Sequence, residues 1–247
     1  GTWTEYGAPN AQPDWDNFVD FVDNNPMTVP ANYNIAKSQY NTGSLIDYFL
    51  LNAYVVCADW LNWNTGWWRG LDPNGDKKKW RYTLWDMDNT FGHGTNYTGI
   101  PTTGVNADPC DPSSLNDPGG QGHVPIWNEM LTNEDFFNDY LNRWQDLATT
   151  DLSCANMISV LDSMVAVIDP EMPRQIATWG GTYNEWQSNV QDVRDFILAR
   201  CSTMNNGFIP CYPDLSGPFN VTIEIVGIGE VEMSDNLIIN ETNMIAQ

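Results

Sequence analysis

The segment from Leu45 to Val56 is almost wholly apolar, and it constrains the fold of this chain more than any other feature of the sequence. It is shorter than the roughly 20 residues that cross a bilayer as a helix, so it predicts a helix buried in a protein core. Ser44, followed by Asp47, resembles a capping box at the start of that helix, which we expect to end near Asp59. No apolar run reaches bilayer length, and we therefore expect no membrane span.

Helical periodicity also extends over much of the remaining sequence. Before the apolar segment, Trp15, Phe18 and Val22 recur at helical spacing, which predicts two short helices separated by prolines. Two further prolines, Pro170 and Pro173, interrupt the pattern later in the chain. The later helices are predicted over residues 126–131, 133–147, 155–168 and 183–204.

Strand-like patterns occur in two places. Residues 67–71 and 79–85 are rich in aromatic side chains and are separated by the turn-forming residues 72–76, so they predict a β-hairpin. Alternation of polar and apolar residues appears again over residues 221–225 and 237–239. The sequence therefore predicts an α+β protein, mainly helical, with one hairpin and a short β-rich segment over residues 214–247.

The chain is strongly acidic, with 10 Lys and Arg residues against 32 Asp and Glu residues and a formal net charge of -22. A surface with this charge repels nucleic-acid phosphates and anionic lipids, so we expect no nucleic-acid partner. Such acidity is typical of a solvated secreted surface, and also of a site that gathers cations such as Mg²⁺ or Ca²⁺. Both interpretations stay open.

The five cysteines of the chain include no CxxC pair, so we expect no structural zinc site. The composition, poor in Lys and rich in Asn and Trp, favours an extracellular protein, in which one or two disulfides form. One thiol would then be left over. Cys57 adjoins the apolar segment and is our candidate for that free thiol.

Two short acidic motifs flank the predicted hairpin. Asp59 and Asn64 precede it, while Asp86 and Asp88 follow it. Phosphoryl transfer needs a carboxylate that takes the proton of the acceptor hydroxyl, and oxygen ligands for the cation that neutralises the β- and γ-phosphates. Because a hairpin returns the chain to the end where it began, Asp86 can meet Asn64 across a shared cation. The order of these residues resembles the catalytic loop and the metal-binding Asp of protein kinases.

Each motif is short enough to arise by chance, and a purely structural role is an alternative for all of these residues. Asp59 and Asn64 can cap the end of a helix, and Asp86 and Asp88 can form an Asx-turn.

The sequence from Tyr48 through the two acidic motifs to Trp-Asp-Met-Asp-Asn-Thr-Phe-Gly at residues 85–92 resembles the CotH kinase family. The segments 126–144 and 186–200 are also similar to that family, so the resemblance covers residues 30–203. It implies a kinase-like fold and a secreted or cell-surface enzyme. Such an enzyme transfers the γ-phosphate of ATP to Ser or Thr of other proteins, with Mg²⁺ or Mn²⁺, or alternatively Ca²⁺, as the cation.

The resemblance also implies a role for each residue of the motifs. Asp59 would be the catalytic base and Asn64 a metal ligand. Asp86 would match the principal metal-binding Asp, with Asp88 as a further ligand or a neighbour of the ligands. Trp80 would lie beside the nucleotide, and a place in the core of the hairpin is the alternative for this residue.

A protein kinase also needs an N-terminal lobe, with a Lys that holds the α- and β-phosphates. Lys37 is the one Lys before Asp59, so we expect residues 1–213 to form a catalytic C-lobe whose N-lobe belongs to another part of a longer parent protein. The alternative function is a non-catalytic surface or structural protein, for adhesion, a coat or a filament, that reuses the same fold. A glycan-binding module is a third hypothesis.

Overall fold

The computed structural model describes residues 11–70, 72, 74, 78–204, 208–216, 221–222, 224, 226, 228–234, 237–239 and 245–246. The chain divides into two compact units, the first formed by residues 1–103 and 107–143 and the second by residues 104–106 and 144–247. Helices dominate the described residues, and the strands form short antiparallel pairs. The predicted α+β class, mainly helical, is confirmed.

The first unit contains the two short N-terminal helices that the sequence predicts. Trp15, Phe18 and Val22 are buried on the first of them, and Pro30 opens the second, where its missing N–H leaves no helical hydrogen bond unmade. The helices of this unit are α1 (Ala11–Asn24), α2 (Pro30–Gln39), α3 (Thr42–Val55), α4 (His123–Leu131) and the first part of α5 (Glu134–Thr149).

The apolar segment forms helix α3, but this helix begins earlier than predicted. Its N-cap is Asn41, whose side-chain oxygen accepts a hydrogen bond from Ser44 N at 3.0 Å. The Ser44 hydroxyl accepts a hydrogen bond from Tyr82 N instead, and Asp47 forms an ion pair with Arg143. The capping-box prediction is therefore wrong, because Asn41 supplies an equally good cap one turn sooner.

The predicted hairpin is confirmed, with shorter strands than expected. Strand β1 (Gly66–Trp68) pairs antiparallel with β2 (Arg81–Thr83), and Trp67 lies opposite Tyr82. The hairpin is attached to the end of α2, because Trp80 N donates to Gln39 O at 2.8 Å. Residue 71 and the turn residues 73, 75 and 76 lie outside the described residues.

Aromatic rings fill the core beneath the hairpin. Trp15 lies against Tyr40, Trp80 and His123, with ring centroids 6.1, 5.3 and 5.3 Å away. His123 is fully buried, and its Nδ1 lies 2.7 Å from the Tyr82 hydroxyl. These contacts join α1, the hairpin and the start of α4, so they hold in place the elements that frame the two acidic motifs.

The second unit is built on two long helices. Its helices are the end of α5, then α6 (Cys154–Ile168), a 3₁₀ turn (Asp169–Glu171), α7 (Met172–Trp179), α8 (Tyr183–Met204) and α9 (Phe208–Cys211). Helix α6 ends just before Pro170, as predicted. Pro173 instead lies in the first turn of α7, where proline is tolerated, and the prediction missed this helix. A disulfide between Cys154 and Cys201 joins α6 to α8, whereas Cys57 of the first unit is buried and free, as predicted.

The described part of the C-terminal segment contains short strands, as predicted. Strand β3 (Val221–Thr222) pairs with β6 (Ile245–Ala246), and β4 (Val231–Ser234) pairs with β5 (Leu237–Ile239). Residues 223 and 225 of the predicted first strand lie outside the described residues. The predicted boundary between residues 213 and 214 stays a prediction.

Among the described helices, none is by itself long and apolar enough to cross a membrane, although Glu134–Thr149 and Cys154–Trp179 meet that test when taken together as a bent pair.

Replacing His123 tests the pH dependence that its burial creates. Burial lowers the pKa of His123 to about 3, whereas a histidine in the unfolded chain titrates near 6.5. Between these values only the unfolded chain binds the proton, so the free energy of unfolding falls by up to about 1.4 kcal/mol per pH unit as the pH drops. In His123→Gln this contribution should disappear, which denaturant titrations between about pH 7 and pH 4.5 would show.

His93→Gln is the matched control, because His93 is exposed and its replacement should leave the slope unchanged. A wild-type slope in His123→Gln would contradict the prediction.

Candidate functional site

The loop between α3 and β1 carries Asp59 and Asn64, and its backbone is unusual. Val56, Leu61 and Asn64 all have left-handed backbones, with φ angles of 53°, 68° and 52°. A left-handed conformation costs a non-glycine residue about 1–2 kcal/mol, and it is rarest for a β-branched residue such as Val56. Contacts from other segments must therefore hold this loop in its shape.

The first of these contacts come from residues 97 and 98. The Thr98 hydroxyl accepts a hydrogen bond from Trp60 N at 2.8 Å and donates one to Trp60 O at 2.9 Å. Both Tyr97 N and Thr98 N donate to Ala58 O. The backbone on either side of Asp59 is therefore held by hydrogen bonds to one neighbouring segment, residues 97–98.

The second acidic motif is attached to the same loop through the backbone. Phe91 N donates to Val55 O at 2.8 Å, and Ala58 N donates to Asn89 O at 3.0 Å. Asp86 also has a left-handed backbone, with φ 50°. The two hydrogen bonds bring the residues after β2 against the end of α3, as the hairpin argument predicts.

Asp59 is the centre of the resulting site. Its Oδ2 accepts a hydrogen bond from the Asn64 side-chain amide at 3.0 Å, so the two residues of the first motif are in direct contact. Its Oδ1 is buried and has no hydrogen-bond partner among the described residues. Burial raises the pKa of Asp59, and the charges of Asp88 and Asp86 raise it further. The three carboxylates therefore interact electrostatically, and no cation of the described chain offsets their repulsion at Asp59.

Asp86 and Asp88 are both exposed, and within the described residues neither side chain accepts a hydrogen bond. The Asx-turn alternative is thus not what the structure shows. The carboxylate oxygens of Asp59, Asp86 and Asp88 do not all lie within 4.8 Å of one another. The acidic site is therefore open. Asp59 likewise does not cap a helix, because its Oδ2 is bonded to Asn64.

The donor set of this site suits a hard divalent cation. Carboxylate and amide oxygens are the ligands that Mg²⁺ and Ca²⁺ prefer. A buried carboxylate oxygen without a partner is costly unless it meets a cation or a proton. Oδ1 of Asp59 is buried without a partner among the described residues, and two like charges act on it. This oxygen therefore favours a bound cation or a proton.

Trp80 lies in the core of the hairpin. It is 4 % exposed, its ring meets that of Trp15 edge-on at 5.3 Å, and the Arg69 guanidinium lies over it at 5.0 Å. This placement agrees with the core role that the sequence left open. Its role beside a nucleotide stays a prediction.

Two features of the site were not singled out from the sequence. Trp63 and Trp85, each next to a residue of an acidic motif, are 53 % and 66 % exposed. The signal was present, since each Trp adjoins a polar motif residue. Each of these exposed rings is therefore adjacent in sequence to a residue of the candidate site.

The other missed feature is the close approach of Gly119 to the Asp59 loop. A Cβ on Gly119, which has φ 84°, would lie 2.6 Å from Leu61 O and 2.9 Å from Asn62 Cα. The long segment between β2 and α4 therefore lies against the loop that carries the first acidic motif.

Comparison with known proteins identifies a family. The family model described as "CotH kinase protein" matches residues 2–204. No curated protein and no solved structure matches the chain.

Gly119→Ala should disturb the site, and Gly120→Ala should not. Both glycines have positive φ, and a Cβ on Gly120 would meet nothing within 4 Å. The two variants therefore share the backbone strain, and only Gly119→Ala adds a clash with the Asp59 loop. We expect Gly119→Ala to lower the free energy of unfolding by about 1–3 kcal/mol more than Gly120→Ala, measured by denaturant titration. Equal losses in the two variants would show that the loops do not support each other.

Proposed function

Because this chain belongs to the CotH kinase protein family, we propose that its acidic site transfers the γ-phosphoryl group of ATP to a Ser or Thr hydroxyl of another protein. Membership of a kinase family implies ATP and a divalent cation in general terms. Mg²⁺ or Mn²⁺ is our proposal for that cation, with Ca²⁺ as the alternative. The observation that carries the proposal is the Asp59 carboxylate, which is held by Asn64 and faces the charges of Asp86 and Asp88.

Asp59 is the base of the proposed reaction. The acceptor hydroxyl oxygen attacks the γ-phosphorus, the bond from that phosphorus to the bridging oxygen of ADP breaks, and the hydroxyl proton passes to the Asp59 carboxylate. The surroundings of Asp59 favour this role, since burial and two like charges raise its pKa and so its affinity for a proton. Asn64 fixes the orientation of the carboxylate by donating to Oδ2.

Asn64, Asp86 and Asp88 would hold the cation. The Asn64 amide nitrogen is engaged by Asp59, which leaves the side-chain oxygen as the ligand atom. Asp86 and Asp88 are exposed, and their oxygens accept no hydrogen bond from the described residues. When bound, the cation would neutralise charge on the β- and γ-phosphates.

The proposed location is extracellular or at the cell surface. The Cys154–Cys201 disulfide supports it, because disulfides persist in oxidising compartments. The net charge of -22 also suits a solvated secreted surface. The need for an N-lobe from a longer parent protein stays a prediction.

Cation-dependent ATP binding separates this function from a non-catalytic use of the fold. We expect isothermal titration calorimetry with ATP to show binding in Mg²⁺ or Mn²⁺, and Asp86→Ala to lose it because a ligand carboxylate is gone. Asp135→Ala is the control, since Asp135 is an exposed carboxylate on α5 and the charge change is the same. Wild-type protein that binds neither cation nor nucleotide, both alone and within the longer parent protein that would supply the N-lobe, would overturn the proposal in favour of a structural role.

Asp59→Asn separates catalysis from binding. This variant keeps the size of the side chain and its contact with Asn64, but it removes the proton acceptor. We expect ATP binding to persist and transfer of ³²P from ATP to an acceptor protein to fall by about 10²–10⁴-fold. Full activity in Asp59→Asn would rule out Asp59 as the base.

A further inference from the structure

A small cavity lies behind the Asp59 loop, within the first unit. Its volume is about 20 Å³, and its lining includes Asn52 from α3, Cys57 and Trp60 from the loop, and Thr102 from the segment that follows. A cavity needs roughly 10–15 Å³ to hold one water molecule, together with two to four polar partners. The space is therefore large enough for one water, and the polarity of its walls decides whether water enters.

Two of the residues that line the cavity carry buried polar atoms with unused hydrogen-bonding capacity. Asn52 is 1 % exposed and its Oδ1 has no partner among the described residues, although its amide nitrogen donates to Tyr48 O at 2.8 Å. Trp60 is 2 % exposed and its indole Nε1 likewise has no partner there. One of these atoms is an acceptor and the other a donor. Leaving a buried polar group unpaired costs about 1–3 kcal/mol, so both atoms favour a bridging molecule.

We propose that this cavity is a binding site for one structural water, which accepts a hydrogen bond from Trp60 Nε1 and donates one to Asn52 Oδ1. The Cys57 thiol is a third, weaker partner on the same wall. A water is the occupant because the cavity is too small for an organic ligand, and an apolar filler would leave both polar atoms unpaired.

The water has a consequence for the neighbouring site. Asn52 already holds the end of α3, since Cys57 N donates to Asn52 O at 3.0 Å. Trp60 follows Asp59 directly, and its backbone is clamped by the Thr98 hydroxyl. The bridge therefore connects the Trp60 side chain to the helix and fixes the Asp59 loop from its buried side. This inference does not depend on the proposed phosphotransfer.

Water–protein NOE spectroscopy on ¹⁵N-labelled wild-type protein tests the proposal. The indole Hε1 of Trp60, identified by the loss of its signal in Trp60→Phe, should show a cross-peak to water with the sign of a long-lived contact. Trp127 is the internal control, because it is also 2 % exposed and its indole donates to Ser113 Oγ at 3.0 Å. Its indole should show no such cross-peak.

The same experiment on Asn52→Leu tests the second partner. Removal of Oδ1 takes away the acceptor of the water, so the cross-peak at Trp60 should be lost while the fold, followed by the other indole signals, is kept. Absence of the cross-peak in wild-type protein would overturn the proposal, and so would its persistence in Asn52→Leu. If either variant fails to fold, backbone-based assignment of the Trp60 indole lets the wild-type spectrum decide alone.

Discussion

The candidate site depends on two backbone hydrogen bonds between the end of α3 and the segment after β2. Phe91 N to Val55 O and Ala58 N to Asn89 O bring together two acidic motifs that are separated in sequence by a hairpin. Backbone bonds of this kind do not depend on the identity of the side chains that follow them. Asp59 and Asp88 are therefore held near each other in spite of their mutual repulsion.

That repulsion is one of several unfavourable terms concentrated here. Left-handed backbones at Val56, Leu61, Asn64 and Asp86 add strain to the same two segments. Such costs persist only where the surrounding structure fixes the conformation, and they cluster at functional sites. Here the surroundings are the aromatic core under the hairpin and the clamp by Thr98. The packing of the first unit thus keeps like charges close together at a cost in folding stability. This arrangement suits a site that binds a cation.

Much of this arrangement follows from the sequence, because it rests on local patterns. The apolar run predicts α3, aromatic strand segments predict the hairpin, and the hairpin predicts the meeting of Asp86 with the Asp59 loop. The predicted start of α3 was wrong because Asn41 and Ser44 are both good N-cap residues, and a short sequence pattern cannot rank them. Helix α7 was missed because proline ends one helix and opens the next with the same signal.

The rest of the site could not be predicted, since it depends on contacts between distant segments. Nothing near Gly119 in the sequence indicates that Leu61 lies against it. The exposure of Trp63 and Trp85 is set by where the hairpin ends, which composition does not fix. The roles of Asp59, Asn64, Asp86, Asp88 and Trp80 remain predictions that geometry makes testable.

The buried Cys57 has a consequence for how the chain matures. Burial raises the pKa of its thiol to about 11, and the thiolate is the species that attacks a disulfide. In the folded protein Cys57 is therefore inert toward Cys154 and Cys201. Before α3 enters the core, the same thiol has ordinary reactivity and competes for both partners. Burial of the apolar segment therefore removes one competing thiol from the oxidation of the chain, so the folding of this helix favours correct pairing of the other cysteines.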